Sequence, residues 1–253
     1  MKVFVTGVAG QLGHDVMNEL AKRDYEGIGS DIAPEYSGIA DGSAVTRMPY
    51  VSLDITKQAF VEAVLKKYEP DIVVHCAAWT AVDMAEEDDK VEKVYAVNAL
   101  GTENIAKVCK ELNCKMVYLS TDYVFDGQGS EPWLPDCMDF KPLNIYGKTK
   151  LEGERAVSEN LDKYFIVRIA WVFGASGNNF IKSMLNIGKK REEVRVVNDQ
   201  IGTPTYTFDL ARLLVDMIGT DRYGYYHVTN EGGYISWYDF ACEIFRQAGY
   251  TTK

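Results

Sequence analysis

A chain of 253 residues, 47% apolar and 25% charged, has the composition of an ordinary globular protein with room for one large core, or a core and a small lobe. Its net charge of −10 argues against a phosphate-backbone binder, which needs a basic face, but leaves room for a single nucleotide held by backbone N–H groups. No apolar run is long enough to span a membrane, and the N-terminus opens as a strand rather than a signal peptide, so neither nucleic acid nor membrane is expected as a partner.

In chain order, Lys2–Thr6 is a short apolar run ended by Gly7-Val8-Ala9-Gly10-Gln11-Leu12-Gly13. Apolar residues then recur at Leu12, Val16, Leu20 and Ala21, a helical period, so the glycines lie on a strand-to-helix turn. Such a turn lets the backbone approach a ligand closely, and the helix N-terminus offers free N–H groups to a diphosphate. The spacing is Gly-x-x-Gly-x-x-Gly, not the commoner Gly-x-Gly-x-x-Gly. The next strand ends at Asp31, placed to accept hydrogen bonds from an adenosine ribose; its charge repels a 2′-phosphate and leans toward NADH over NADPH. A turn-capping role for Asp31 stands beside that one, since Pro34 follows.

Residues 35–48 are irregular. Tyr50–Leu53 reads as a strand ending at Asp54-Ile55, 57–68 as a helix, and Ile72–Ala78 as a buried strand whose small Ala77 and Ala78 let a cofactor pass over the sheet edge. The acidic run Glu86-Glu87-Asp88-Asp89 is expected to face water. A long helical pattern follows through Val94, Val97, Leu100, Ile105 and Val108, then a buried strand, Lys115–Leu119, leading into Ser120-Thr121-Asp122-Tyr123.

A further helix opens at Tyr146-Gly147-Lys148-Thr149-Lys150, and residues four apart share a helix face, so Tyr146 and Lys150 project together. Of sixteen tyrosines only Tyr146 has a lysine four residues later. A cation beside a phenol favours the phenolate and lowers a pKa otherwise near 10, which makes the phenol a usable acid or base. A hydroxyl at the neighbouring strand end, Thr121 or Ser120, could bond a substrate oxygen.

After a strand at Tyr164–Ala170 the pattern loosens. Helices are expected at 180–190 and 207–218, short strands at 194–197 and 225–228, and a last amphipathic helix capped by Ser236. Strands alternating with helices predict an α/β fold, a doubly wound parallel Rossmann sheet over 1–172, with ligands at the strands' carboxyl ends and a smaller substrate-binding lobe over 173–253. Five cysteines, odd in number and without a Cys-x-x-Cys pair, read as reduced and mostly buried thiols of a cytoplasmic protein. His14, His75 and His227 lie far apart, so no metal site is expected.

These residues resemble the extended short-chain dehydrogenase/reductases, and within them the dTDP-4-dehydrorhamnose reductase family. The resemblance rests on the glycine turn, Ala77-Ala78-Trp79-Thr80-Ala81-Val82-Asp83, Ser120 through Gly127, Tyr146 through Glu154, Arg168 through Gly174, Gly177-Asn178-Asn179-Phe180, and Asn198-Asp199-Gln200-x-Gly202-x-Pro204-Thr205. It implies NAD(P)H-dependent reduction of the 4-keto group of dTDP-6-deoxy-L-lyxo-4-hexulose to dTDP-L-rhamnose. Carried over by position, Thr121, Tyr146 and Lys150 are the catalytic set, and Lys150 also binds the nicotinamide ribose. Gly7, Gly10, Gln11, Leu12 and Gly13 wrap the diphosphate, Asp31 holds the ribose, Asp54 and Ile55 the adenine, and Val82, Asp122, Tyr123 and Trp171 lie near the sugar. The family continues past its last helix, whereas this chain stops at Lys253, so the lobe is expected to be incomplete or trimmed. Two other readings compete: a nucleotide-sugar epimerase or dehydratase that keeps its nicotinamide, and a non-catalytic subunit resembling the regulatory β subunit of methionine adenosyltransferase. A dehydratase places Asp-Glu after the threonine; here Asp122-Tyr123 follows. A homodimer is left open.

Overall fold

A computed structural model describes residues 1–252. The chain runs β1 (Lys2–Thr6), α1 (Gln11–Lys22), β2 (Glu26–Asp31), β3 (Tyr50–Ser52), α2 (Gln58–Tyr68) and β4 (Ile72–His75). A long helix follows, made of α3 (Val91–Tyr95), a wider π-turn over Ala96–Leu100 and α4 (Gly101–Glu111). Then come β5 (Lys115–Thr121), α5 (Ile145–Asn160), β6 (Tyr164–Ile169), β7 (Val172–Phe173), α6 (Phe180–Gly188), β8 (Ile201–Gly202) and β9 (Thr205–Tyr206). The last elements are α7 (Thr207–Ile218), β10 (Gly224–His227), β11 (Ile235–Ser236) and α8 (Trp237–Ala248).

Seven parallel strands in the order β10-β6-β5-β4-β1-β2-β3 make the central sheet. Both faces are covered, which is why its strands read as near-continuous apolar runs. Val3 and Val5 face the layer built by Leu12, Val16 and Leu20 of α1 and Leu210 and Leu214 of α7. Phe4, pointing the other way, joins Val61 and Leu65 of α2, Ile105 of α4 and Val157 of α5. Because β1 lies between β2 and β4, the strand order reverses beside it, and the crevice at that reversal opens on the carboxyl edge. Gly7, Asp31, Ala77 and Thr121 all stand on that edge.

Three expectations change. The fourth strand stops at His75, not Ala78, because Cys76 onward leaves the ladder. No strand forms over 194–197: Val194 and Val196 pack on the lobe core while Arg195 and Val197 are exposed, but no neighbouring strand pairs with them. The strand expected near 225–228 forms as β10 and adds to the main sheet beside β6, with α7 packed on α1. The sheet therefore draws on residues from both sides of position 172. Around it, α6 and α8 enclose a small core of Met184, Ala241, Ile244 and Phe245, flanked by the strand pairs β7·β9 and β8·β11. Ser236 caps α8 as expected, in a reciprocal capping box with Asp239. No helix is long and apolar enough to cross a membrane among the described residues. All five cysteines are free thiols; Cys109 and Cys114 are buried, Cys76 and Cys137 half-buried, and Cys242 is exposed, so fewer are buried than expected.

Candidate active site

The glycine turn is tight enough to require its glycines. Gly7 has φ +71°, and a Cβ there would stand 2.7 Å from the Ala77 nitrogen. At Gly13 a Cβ would strike the Gly7 carbonyl. Gly10 is the N-cap of α1 and brings no side-chain cap, so the first N–H groups of the helix face outward into the crevice. Leu12 contributes only its backbone there, since its side chain lies in the core. A positive helix end, a backbone stripped of Cβ atoms and small Ala77 and Ala78 opposite it together fit a dinucleotide diphosphate.

Asp31 holds the turn as well as facing the crevice. One carboxylate oxygen accepts the Ala9 N–H at 3.0 Å and the other the Ile32 N–H at 2.8 Å. Asp54 accepts both the N–H and the hydroxyl of Thr56, and the Ile55 side chain is packed in the core. Gln11 bridges outward: its amide oxygen accepts from Asn179 at 2.9 Å, and Gly177 packs on its side chain, which lays the 174–179 loop of the lobe across the start of α1.

The centre of the site is where β5 meets α5. Asn144 caps α5 by accepting the Gly147 N–H at 2.7 Å, and Glu86 accepts the Ile145 N–H at 2.6 Å. One residue of the acidic run expected to face water thus also fixes this helix end, where a negative charge is favoured. Gly147 lets α5 press on the backbone of Tyr123, where a Cβ would collide with the Tyr123 carbonyl. The Tyr146 ring meets Tyr123 edge-on at 5.8 Å between centroids. Thr121 is buried; its hydroxyl donates to Asp122 at 3.0 Å and accepts the Tyr123 N–H at 3.2 Å.

Burial decides the protonation states. It pushes the Tyr146 phenol above its ordinary value, with the Thr121 hydroxyl pulling the other way and the Asp122 carboxylate adding to the rise. The sequence led us to expect Lys150 to depress this pKa; burial raises it instead. Lys150 itself is 3% exposed and is driven down to about 7 by burial, with Glu154 opposing. Its ammonium rests over the Tyr118 ring, 4.2 Å from the centroid, and among the described residues no carboxylate pairs with it. Asp122 is exposed as a residue, but desolvation of its carboxyl raises its pKa, with the bond from the Thr121 hydroxyl opposing.

Of the remaining expected residues, Val82 opens the short helical turn Asp83–Glu86 in the loop after β4, and Tyr123 lies in the turn after β5, 42% exposed. Trp171 sits at the root of the lobe with φ +51°, a left-handed conformation that a bulky residue adopts at a cost of roughly 1–3 kcal/mol. Its ring stacks on Trp237 at 3.7 Å, with Gly202 against its edge.

Sequence reasoning missed the buried polar residues behind this front. Thr102 donates to the Asn98 carbonyl at 2.7 Å, so it accepts from His75 Nε2 at 3.1 Å; His75 Nδ1 then accepts from Thr6, and Thr6 accepts the Ala77 N–H. Burial and the Lys150 charge hold His75 down at about 3, so it stays neutral as this chain requires. Asn98, on the π-turn, accepts the Trp79 N–H and donates to Thr149, which bonds the Tyr146 carbonyl. Glu154, Arg168 and Ser120 form a second buried group. Only Glu154 left a signal: it stands four residues past Lys150, on the same helix face.

A Rossmann sheet whose carboxyl edge carries a glycine turn and a Thr121/Tyr146/Lys150 group, with Thr121 and Lys150 buried and Tyr146 half-buried, is the arrangement of an extended short-chain dehydrogenase/reductase. The chain belongs to the dTDP-4-dehydrorhamnose reductase family: the family model described as RmlD substrate binding domain matches residues 1–253. A dTDP-4-dehydrorhamnose reductase of Streptomyces griseus is 40% identical over 252 residues, 97% of this chain and 76% of that protein. The crystal structure of a dTDP-4-dehydrorhamnose reductase from Clostridium acetobutylicum matches with TM-score 0.87 and 42% identity, covering 100% of this chain and 82% of that one. A Bacillus anthracis dTDP-4-dehydrorhamnose reductase in complex with NADP matches with TM-score 0.87 and 40% identity, covering 100% and 83%.

Proposed function

We propose that this protein reduces the 4-keto group of dTDP-6-deoxy-L-lyxo-4-hexulose to give dTDP-L-rhamnose, using NADH or NADPH. The observation that carries this reading is the group formed by buried Thr121 and Lys150 and half-buried Tyr146, standing on the same sheet edge as the glycine turn. Bound NAD(P)H supplies the hydride that reaches the keto carbon. Tyr146, kept protonated by burial, gives its phenolic proton to the oxygen that becomes alkoxide. Lys150 holds the nicotinamide ribose and, when cationic, stabilises the phenolate left behind. Thr121 turns its hydroxyl from Asp122 to the keto oxygen and orients it. Val82, Asp122, Tyr123 and Trp171 line the sugar side, and residues 173–253 supply most of the lobe that covers it.

Asp31 supports NADH through its charge, while a relative 40% identical was solved with NADP, so both cofactors belong in the test. Replacing Asp31 by alanine should shift preference toward NADPH; a constant NADH/NADPH ratio would remove Asp31 from the choice. Its bond to the Ala9 N–H predicts that the same variant weakens both cofactors together by roughly ten- to hundredfold, one hydrogen bond to a charged group being worth roughly 1.5–3 kcal/mol. The free thiols favour a cytoplasmic location. The deciding assay follows NADH and NADPH oxidation with the dTDP-4-keto sugar. Stoichiometric oxidation is expected, and none with either cofactor would overturn the proposal.

A further inference from the structure

Tyr146, Lys150 and Glu154 lie at i, i+4 and i+8 on the face of α5 that meets β5. Glu154 is 1% exposed, and each carboxylate oxygen is committed. One accepts the Ser120 hydroxyl at 2.5 Å and Arg168 Nε at 2.9 Å; the other accepts an Arg168 terminal nitrogen at 2.8 Å. Ser120 is the residue before Thr121, so this carboxylate ties the strand end carrying Thr121 to the helix face carrying Tyr146 and Lys150. Arg168 extends the tie to the Pro135 carbonyl and His227, which binds the 125–141 segment beside the site.

We infer that Glu154 is a positioning residue for the proposed reduction: it fixes Thr121 against Tyr146 and sets its carboxylate one helical turn from Lys150. This rests on the reductase reading. Facing Lys150 from the other elements are Tyr118 of β5, His75 of β4, Cys76 beyond it, and Tyr146 on its own helix. Burial keeps His75 and the Cys76 thiol neutral, the latter at about 12, and raises both phenols, so none of them brings a charge near neutral pH. Glu154 alone among them is anionic, and it opposes the desolvation that drives the proton off Lys150.

The test measures the NADPH dissociation constant against pH by fluorescence, which needs no sugar, together with turnover of the keto sugar. Wild-type affinity should fall as pH rises through the Lys150 titration. In Glu154→Gln the midpoint of that fall should drop by about one pH unit, the effect of losing one nearby opposite charge. Ser120→Ala keeps the charge, so its midpoint should stay while turnover falls about fivefold. A folded Glu154→Gln protein with an unmoved midpoint overturns the proposal, as does wild-type turnover in Ser120→Ala. Glu154→Asp keeps the charge on a shorter arm and guards against a Gln variant that does not fold: reduced turnover at the wild-type midpoint supports the proposal, and unchanged turnover overturns it. A shifted midpoint in Glu154→Gln with no sugar turned over by the wild type would leave the charge role standing and remove the reductase reading.

Discussion

An ammonium group taken out of water favours losing its proton, and Lys150 carries that cost inside the site. Its pKa falls from 10.5 to about 7 in the folded protein, so between those values the unfolded chain binds more protons than the native one. Stability from this group must therefore rise with pH across that window, and the penalty is greatest at and below neutral pH. Lys150→Met should raise the melting temperature at pH 7, by a gain of order a few kcal/mol, and the advantage over wild type should vanish near pH 10.5. The same variant should lose cofactor affinity and turnover. A lower melting temperature at pH 7 would show that Glu154 and the Tyr118 ring repay the burial in full. Tyr146→Phe separates the other role: about 10²- to 10⁴-fold of turnover should go with the general acid while NADPH binding, read by fluorescence, stays near wild type. The four-residue spacing put Tyr146 and Lys150 on one helix face, but the spacing by itself is weak evidence, and their proposed roles rest on the family resemblance as well. The direction of the Tyr146 shift was not legible, because it depends on how deeply β5 and α5 bury the ring, and no local pattern carries that.

Elements meet closely here because particular side chains are missing. Gly147 presses α5 onto the Tyr123 backbone, and Gly153 leaves room for the Tyr118 hydroxyl, which bonds the Lys150 carbonyl at 3.1 Å. Gly147→Ala puts a methyl group against a carbonyl that cannot swing aside, so α5 must retreat and carry Tyr146 with it. The expected loss is about 1–3 kcal/mol of stability, the usual range for overpacking, together with a turnover drop larger than the stability loss explains. Lys148→Ala, on the exposed side of the same turn, should leave both unchanged; matching melting curves and rates for the two variants would contradict this account. At this scale the sequence was generous: α7 forms over the expected 207–218, and the glycine turn lies where the helical period begins. It failed where pairing is non-local. Val194–Val197 alternates like a strand yet finds no partner, while 224–227 finds one more than fifty residues away, in β6. The buried chain from Thr6 through His75 to Asn98 was equally hidden, since its members are as much as 96 positions apart in sequence and meet only when β1, β4 and α4 pack.

Across the whole molecule, chain path links the lobe to the glycine turn. The backbone leaves β6, enters the lobe, returns through α7 and β10 to complete the sheet, and leaves again for α8. The lobe is thus rooted at several crossings, one of them the strained Trp171, and touches Gln11 beside the glycine turn through Asn179. Asn179 has two jobs: its amide oxygen caps α6 through the Lys182 N–H at 3.1 Å, and its amide nitrogen donates to Gln11 and to the Gly174 carbonyl at 2.8 Å. Asn179→Ser keeps a good cap but cannot reach Gln11, so it separates helix stability from the link. One neutral hydrogen bond is worth about 1 kcal/mol net, which predicts a roughly fivefold rise in the cofactor dissociation constant. The free protein keeps the cap but loses the bonds to Gln11 and Gly174, so it should melt roughly 2–4 °C below wild type for each 1 kcal/mol lost, the shift expected for a chain of this size. Saturating cofactor stabilises the folded form by RT ln(1 + [L]/Kd), so at a fixed cofactor concentration the variant should gain about 1 kcal/mol less than wild type. Equal thermal shifts for the two proteins would mean that the 174–179 loop rests on the glycine turn without contributing to what the turn binds.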